Sequence, residues 1–281
     1  MKNHDHTARG RSTASRLRAV ASTHNARLKD LRTAFRRAEL TAHGECAIEG
    51  IKLVEEALRH APHIQTIFFS ESARPLAEKF LPQISRRTET LVLPNPLFNS
   101  IVPSDAPQGV AALVKMQSFS ARQILERAEH GPLVVVAGLQ DPGNLGTIFR
   151  SAEAFGAAGV FLTEGTVSAY NSKAVRGSAG SIFRLPVTHV STVELIPLLR
   201  AQKVRMLATS SHKGTPLAQA NWTLPVTIFI GNEGAGLPRE ILHQMDETVV
   251  IPQAEPVESL NAGVAASIVL YEAARNRKQI E

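Results

Sequence analysis

Residues 133–162 read LVVVAGLQDPGNLGTIFRSAEAFGAAGVFL. Leu133 to Ala137 is an unbroken apolar run, which suits a strand covered on both faces. Asp141, Pro142 and Gly143 then form a strong turn, and Asn144 stands where an N-cap belongs before an apolar helical stretch over about 144–156. Val160 to Leu162 resumes the strand pattern. A strand, a helix and a second buried strand in so short a span make a βαβ unit, whose strands run parallel.

The same alternation continues toward the C-terminus. Val204–Ala208, Val226–Ile230 and Val249–Ile251 are further apolar runs, with helical stretches at about 171–178, 191–201 and 259–276. The spacing predicts an α/β domain over 132–281, built on a mainly parallel sheet flanked by helices. Ligands of such sheets sit beyond the carboxyl ends of the strands, so the loops after Ala137, Ala208, Ile230 and Ile251 are where function is expected.

Upstream, residues 24–116 read as a smaller α/β domain. Leu28, Leu31 and Phe35 fall at helical spacing between Asn25 and Arg37, with Arg27, Lys29, Arg32, Arg36 and Arg37 among them. A second helix is expected from Ile48 to Arg59, and the stretch holding Cys46 also reads as helical. Ile64–Ser70, Leu91–Leu93 and Val110–Met116 read as short buried strands. Residues 117–131, ending at Gly131-Pro132, read as a linker, and residues 1–23 as a polar, aperiodic, disordered basic tail.

Charge sharpens that division. Of the chain's 31 Lys and Arg, ten lie in residues 1–37 against only Asp5 and Asp30, so the formal charge of +6 is an N-terminal feature. A phosphate polymer is the natural partner of such a segment. A solvated tail or an Arg- and Ser-rich transit peptide would carry the same composition. No apolar run approaches the roughly 20 residues that cross a bilayer. A single cysteine excludes an internal disulfide, and no Cys/His cluster has zinc spacing, so no metal is expected and the compartment is read as cytoplasmic.

Three loops carry chemical information. The first, QDPGNLGTIFRSAEAFG at 140–156, sets Arg150 among Ile148, Phe149, Ala152 and Phe155, where a guanidinium suits a phosphate held by two parallel hydrogen bonds. The second, IFIGNEGAGLP at 228–238, places Gly231, Gly234 and Gly236 at a strand end together with Asn232 and Glu233. It lacks the Lys-Ser/Thr of a P-loop and is not a GxGxxG fingerprint. The third, IPQAEPVESLNAGVAASIVLYEAA at 251–274, opens a helix at Ser259 or Glu258 whose first turns are unusually small, with Asn261 in an apolar turn where its amide needs partners.

In this order and spacing the three loops resemble the three motifs of the SpoU/TrmH-type RNA 2′-O-ribose methyltransferases of the SPOUT superfamily. Asn25, Lys29, the Gly50 region and PQGVAALV at 107–114 are similar to the substrate-binding domain that precedes catalysis in many members. The resemblance spans about residues 22–276. It implies a ribosomal-protein-like RNA-binding domain, a catalytic domain with a knotted C-terminal segment, a homodimer formed through that domain, and S-adenosylmethionine (SAM) as methyl donor.

Carried onto this chain, the family pattern implies Asn144, Arg150, Glu233, Ser259 and Asn261 around the reacting groups. It implies Ala208, Thr209, Ser210, Gly231, Asn232, Gly236, Ile251 and Leu260 at the cofactor, and Asn25, Lys29, Arg32, Arg36 and Arg150 at RNA. Arg150 is expected to clamp the phosphate beside the target ribose, its pKa being too high for a base. Asn144 and Asn261 would then orient the nucleophile, and Glu233 would fix Arg150 or the ribose. Gln253, Ala254, Glu255 and Pro256 depart from the small residues that members often carry there. The added N-terminal domain favours ribosomal RNA of the large subunit over transfer RNA. A non-catalytic RNA-binding protein on the same fold is the rival reading; an NAD-dependent oxidoreductase would need the glycine fingerprint that Gly138–Gly146 lacks.

Overall fold

The structure, a computed structural model, describes residues 16–277 apart from 62, 224 and 258. Most of the expected tail, residues 1–15, lies outside the described residues. The chain divides into two compact units. One runs to Met116 and includes Tyr170–Ser172, and the other holds Gln117–Ala169 and the chain from Lys173 on.

The first unit contains β1 (Leu17–Ala19), α1 (Ala26–Arg37), β2 (Glu45–Glu49), α2 (Ile51–His60), β3 (His63–Ser70), α3 (Arg74–Phe80), β4 (Glu89–Leu93), α4 (Asn95–Asn99) and β5 (Val110–Lys115). Its sheet has the order β1-β4-β3-β5-β2, with β5 antiparallel to both of its neighbours and the other pairs parallel. Leu28, Leu31 and Ala34 of α1 pack with Phe68, Leu91, Phe98 and Leu113 on one face. Phe69 points to the other face, where it meets Phe80 edge-on with ring centroids 6.3 Å apart.

Two expectations are corrected in this unit. Residues 17–19 are not disordered: they pair with Thr90–Val92, and Arg16 donates to the carbonyls of Leu81, Ile84 and Ser85. Cys46 and Ile48 lie in a strand, not a helix, because Gly50 at φ 103° turns the chain sharply before α2 begins. Arg27 differs from the other basic residues of this helix in being paired. Its guanidinium lies 2.6 Å from the carboxylate of Glu45, a residue with no exposed surface, and it also donates to Thr66.

The second unit contains α5 (Ala121–Leu125), β6 (Leu133–Val136), α6 (Pro142–Ala154), β7 (Gly159–Leu162), α7 (Ser172–Gly177), β8 (Val187–His189), α8 (Thr192–Ala201), β9 (Arg205–Ser210), β10 (Thr215–Pro216), β11 (Val226–Ile230), α9 (Arg239–Leu242), β12 (Glu247–Val250) and α10 (Ala262–Asn276). Its strands stand in the order β10-β12-β9-β11-β6-β7-β8, and every neighbouring pair is parallel. Residues 117–131 are not a free linker: Ile124, Leu125 and Ala128 belong to the buried core, with Val135, Phe161, Met206 and Phe229 of the sheet.

Strand order decides where a site can form. From β6 the chain steps to β7 and β8 on one side, then crosses to β9, and β11 closes the gap beside β6. The loops that leave β6 and β11 are therefore adjacent and diverge, which is the switch point where a crevice opens. Helices α6 and α10 pack on one another, and the hydroxyls of Ser151 and Ser267 meet across them at 2.6 Å.

Candidate active site

The loop after β6 enters α6 through Asp141. Its carboxylate accepts from the backbone N–H of Asn144 at 2.9 Å, and Pro142 occupies the first helical turn. Asn144 is therefore not the cap, as its place before the apolar run suggested. It lies inside the first turn, which frees its amide for partners elsewhere.

The loop after β11 is held from within. Asn232 and Gly236 exchange backbone hydrogen bonds at 3.0 Å, while the Asn232 side chain accepts from Gly234 and Ala235 and donates to the carbonyl of Gly138 at 2.8 Å. A Cβ on Gly231 would lie 2.4 Å from the backbone carbon of Gly236, so only glycine permits this tight ring. Asn232 thus ties the second motif to the first strand's loop.

Glu233 makes the second tie. Its carboxylate accepts from the backbone N–H groups of Gln140 (3.4 Å) and Asp141 (3.2 Å) and from Asn144 Nδ2 (3.2 Å). Burial acts against its charge, but its own backbone N–H, Asn144 and the Asp141 and Gln140 amides outweigh that and hold the carboxyl below its ordinary range. It makes no bond to Arg150, one of the two partners expected for it, the other being the ribose.

The third motif joins through Asn261, whose Nδ2 donates to Asn144 Oδ1 at 2.8 Å. Asn261 Oδ1 accepts from Val264 N at 3.2 Å, so this residue, and neither Ser259 nor Glu258, caps α10. Glu258 is outside the described residues. The amide orientations form one logical chain: Glu233 can only accept, so Asn144 turns its NH2 to it and its oxygen to Asn261. Asn261 must then present its NH2 to Asn144 and its oxygen to the helix.

Beside this relay lies a cavity of about 800 Å³. Thr209, Ser210, Gly231, Asn232, Gly236, Ile251 and Leu260 line it, with Ser259 and Glu233. Ala208, the eighth expected cofactor residue, is fully buried and does not reach it. Sequence reasoning passed over His212, Lys213 and Gln253 as lining residues. The departure at 253–256 was the available signal for the last of these. Gln253 Oε1 is buried with no hydrogen-bond partner among the described residues, and the Glu255–Pro256 peptide is cis.

Arg150 stands apart from the relay. Leu145, Ile148, Phe149 and Ala152 are buried, whereas Gly143, Thr147, Arg150 and Ala154 make an exposed stripe on α6. The apolar setting inferred for Arg150 is thus a property of its sequence neighbours and not of its side chain, because 3.6 residues per turn carry it to the opposite face. Asn261 is exposed as well. In the first unit Asn25 caps α1, accepting from Arg27 N and Leu28 N, and Lys29, Arg32 and Arg36 follow one another along one helical face.

The SpoU rRNA Methylase family model matches residues 131–271, and an MRM3-like substrate binding domain model matches residues 25–112. The 23S rRNA (guanosine(2553)-2′-O)-methyltransferase RlmP of Bacillus subtilis is 30% identical over 258 residues, covering 91% of this chain and 98% of that protein. The 23S rRNA (uridine(2479)-2′-O)-methyltransferase of Streptomyces viridochromogenes is 32% identical, over 84% of this chain and 85% of that one. The crystal structure of an AdoMet-bound rRNA methyltransferase from Sinorhizobium meliloti superposes with a TM-score of 0.78 at 30% identity, covering 93% of this chain and 98% of its own.

Proposed function

Since the chain belongs to the SpoU rRNA Methylase family, we propose that it methylates a ribose 2′-hydroxyl in structured RNA, with 23S-type ribosomal RNA as substrate and SAM as methyl donor. The observation that carries this reading is the Glu233–Asn144–Asn261 relay beside a cavity of cofactor size. The full-length relatives named above act on 23S rRNA, which favours ribosomal RNA over transfer RNA.

The cavity suits SAM on its own chemistry. A Cβ on Gly236 would meet nothing within 4 Å, so the backbone there faces open space. Thr209, Ser210, Gly231, Asn232, Ile251 and Leu260 would complete the hold. When bound, SAM supplies an activated methyl group on a sulfonium.

The protein's contribution is positioning. Asn144 and Asn261, locked by Glu233, would orient the ribose hydroxyl, and Ser259 on the cavity wall would adjoin it. Arg150, exposed and free of any hydrogen bond or ion pair among the described residues, is suited to clamp a backbone phosphate of RNA. Lys29, Arg32 and Arg36 on one face of α1, with Asn25 at its start, would add phosphate contacts of their own.

Dimerisation through the catalytic unit is part of the proposal. Val264, Ile268 and Tyr271 are 47, 37 and 47% exposed and form an apolar stripe along α10, which a second copy would cover. The family likeness supports a knotted C-terminal segment, and a ribosomal substrate supports a cytoplasmic location. No described helix is long and apolar enough to cross a membrane. The direct test supplies methyl-labelled SAM with undermodified ribosomal RNA and transfer RNA in parallel. Label in the ribosomal RNA alone is expected; SAM binding with no transfer to either RNA would favour the rival, non-catalytic reading.

A further inference from the structure

A second cavity, of about 700 Å³ and open to solvent, lies in the first unit. It sits at the end of the sheet where β2 begins at Glu45, β4 begins at Glu89 and β5 ends at Lys115. Apart from Ala42 and Gly44 its lining is polar or charged, so it offers no wall to a flat base or an aliphatic chain.

Charge decides what it suits. Glu45 has no exposed surface, and its oxygens are taken by Arg27 and by the hydroxyl of Thr41 at 2.8 Å. Glu89 pairs with Arg18 at 2.6 Å. Each carboxylate of the lining is thus matched by a guanidinium, and what stays unmatched is positive. Arg87 is held through its backbone N–H, which donates to Ser85 Oγ, and its guanidinium has no partner among the described residues. Lys115 donates to the backbone carbonyl of His43, which leaves its charge unneutralised. Gln65 turns its Oε1 to His63 Nε2 at 3.2 Å, so its NH2 is left as a further donor.

We infer that this cavity seats a phosphate group of RNA, held by Arg87 and Lys115, as a contact separate from the basic face of α1. The ligand class rests on the RNA reading above. Two unmatched cations beside a neutral donor suit a group that carries charge and only accepts, which a phosphate does and a neutral sugar or amide does not. At about 100° per residue, Lys29, Arg32 and Arg36 lie roughly opposite Arg27 around α1, and Arg27 is the helix residue that lines the cavity. A strand laid along the basic face therefore leaves the cavity for a second segment of a folded RNA.

The test measures binding of undermodified ribosomal RNA to the full chain by filter retention over a series of salt concentrations. Arg87→Gln and Lys115→Gln are made singly and together. Arg86→Gln is the control, because it removes the same charge from an exposed neighbour outside the lining. Arg87 is exposed and unbonded at its side chain, so Arg87→Gln should melt with the wild type. The double variant should bind RNA roughly tenfold more weakly, and the slope of log K against log salt should fall by roughly one for each cation removed. Arg86→Gln should change binding by no more than about twofold. Unchanged RNA affinity in the double variant overturns the inference and leaves the methyltransferase reading standing. Equal losses in Arg86→Gln and Arg87→Gln also overturn it, by making the effect one of overall charge. Inorganic phosphate is titrated calorimetrically in parallel: saturable binding that Arg87→Gln abolishes, with RNA affinity unchanged in that variant, would make this a free-phosphate site and overturn the assignment to RNA. A wild type that binds no RNA defeats the RNA reading and this inference together.

Discussion

Asn261 donates from its Nδ2 to Asn144 Oδ1 at 2.8 Å, joining the N-cap of the last helix to the first turn of α6 across 117 residues of chain. Each residue serves one neighbour at its other end, Val264 for Asn261 and Glu233 for Asn144. The pair therefore fixes the relative position of two motifs that are far apart in sequence.

Replacing Asn261 by Asp separates its two duties. Aspartate caps a helix as well as asparagine does, so α10 should stay folded and its melting temperature should change little. Two oxygens would then face each other where one hydrogen bond stood, and Asn144 cannot turn because Glu233 holds its NH2. Methyl transfer should fall about a hundredfold, the scale of a misplaced reacting group. Near-normal turnover in a folded Asn261→Asp protein would remove the relay from the account.

Glu233 should leave a trace in the pH dependence of stability. Its folded-state pKa is lowered, so its contribution is complete above the unfolded value of about 4.3 and disappears as pH falls through the lower folded value. The difference in melting temperature between the wild type and Glu233→Gln should be constant above about pH 5.5 and shrink toward zero in more acid buffer. A difference that grew on acidification would contradict the lowered pKa.

Arg150→Lys tests the clamp. The residue is exposed, so the change should shift stability by no more than about 0.5 kcal/mol. Lysine keeps the charge but not the two-pronged fork. RNA binding measured by filter retention should persist while turnover is mostly lost, and wild-type turnover would refute the clamp.

A charge on the apolar stripe tests the pairing of copies. Ile268→Glu on the exposed face of α10 should convert a dimer to a monomer in sedimentation velocity, with the monomer's fold intact by circular dichroism. A wild-type protein that sediments as a monomer at high concentration would count against the proposed dimer.

The ion pair in the first unit makes a prediction about folding alone. Glu45→Gln leaves the partly buried Arg27 with Asp30 alone, at 3.2 Å and more exposed, and should cost about 2 kcal/mol, the scale of a lost hydrogen bond between charged groups. Chemical denaturation would show it as a lowered midpoint, and an unchanged midpoint would mean that solvent replaces the carboxylate at little cost.

The parallel sheet was legible because β6, β7 and β11 are short, mainly apolar runs buried on both faces, which no helix of that length would need. The strand Glu45–Glu49 was not, since apolar spacing runs on through Ile48, Ile51 and Leu53 and only the φ of Gly50 breaks it. Leu17–Ala19 gives no local signal at all, because its structure comes from pairing with residues more than seventy positions away. At the site, the three motifs could be read as candidates, and the residue types of the relay with them. The bonds among Asn144, Glu233 and Asn261 could not, since hydrogen bonds across 89 and 117 residues leave no periodicity. The environment of Arg150 is not legible in the sequence for a simpler reason: the helix turns its apolar sequence neighbours to the opposite face.

The most direct measurement of the central claim is the chemical position of a transferred methyl group. Ribosomal RNA labelled by the protein from methyl-labelled SAM would be digested to nucleosides, with Asn261→Ala run in parallel. Label on a single ribose 2′-oxygen, absent with Asn261→Ala, is the predicted result. Label on a base, or ribose label that persists undiminished in the variant, would contradict the account.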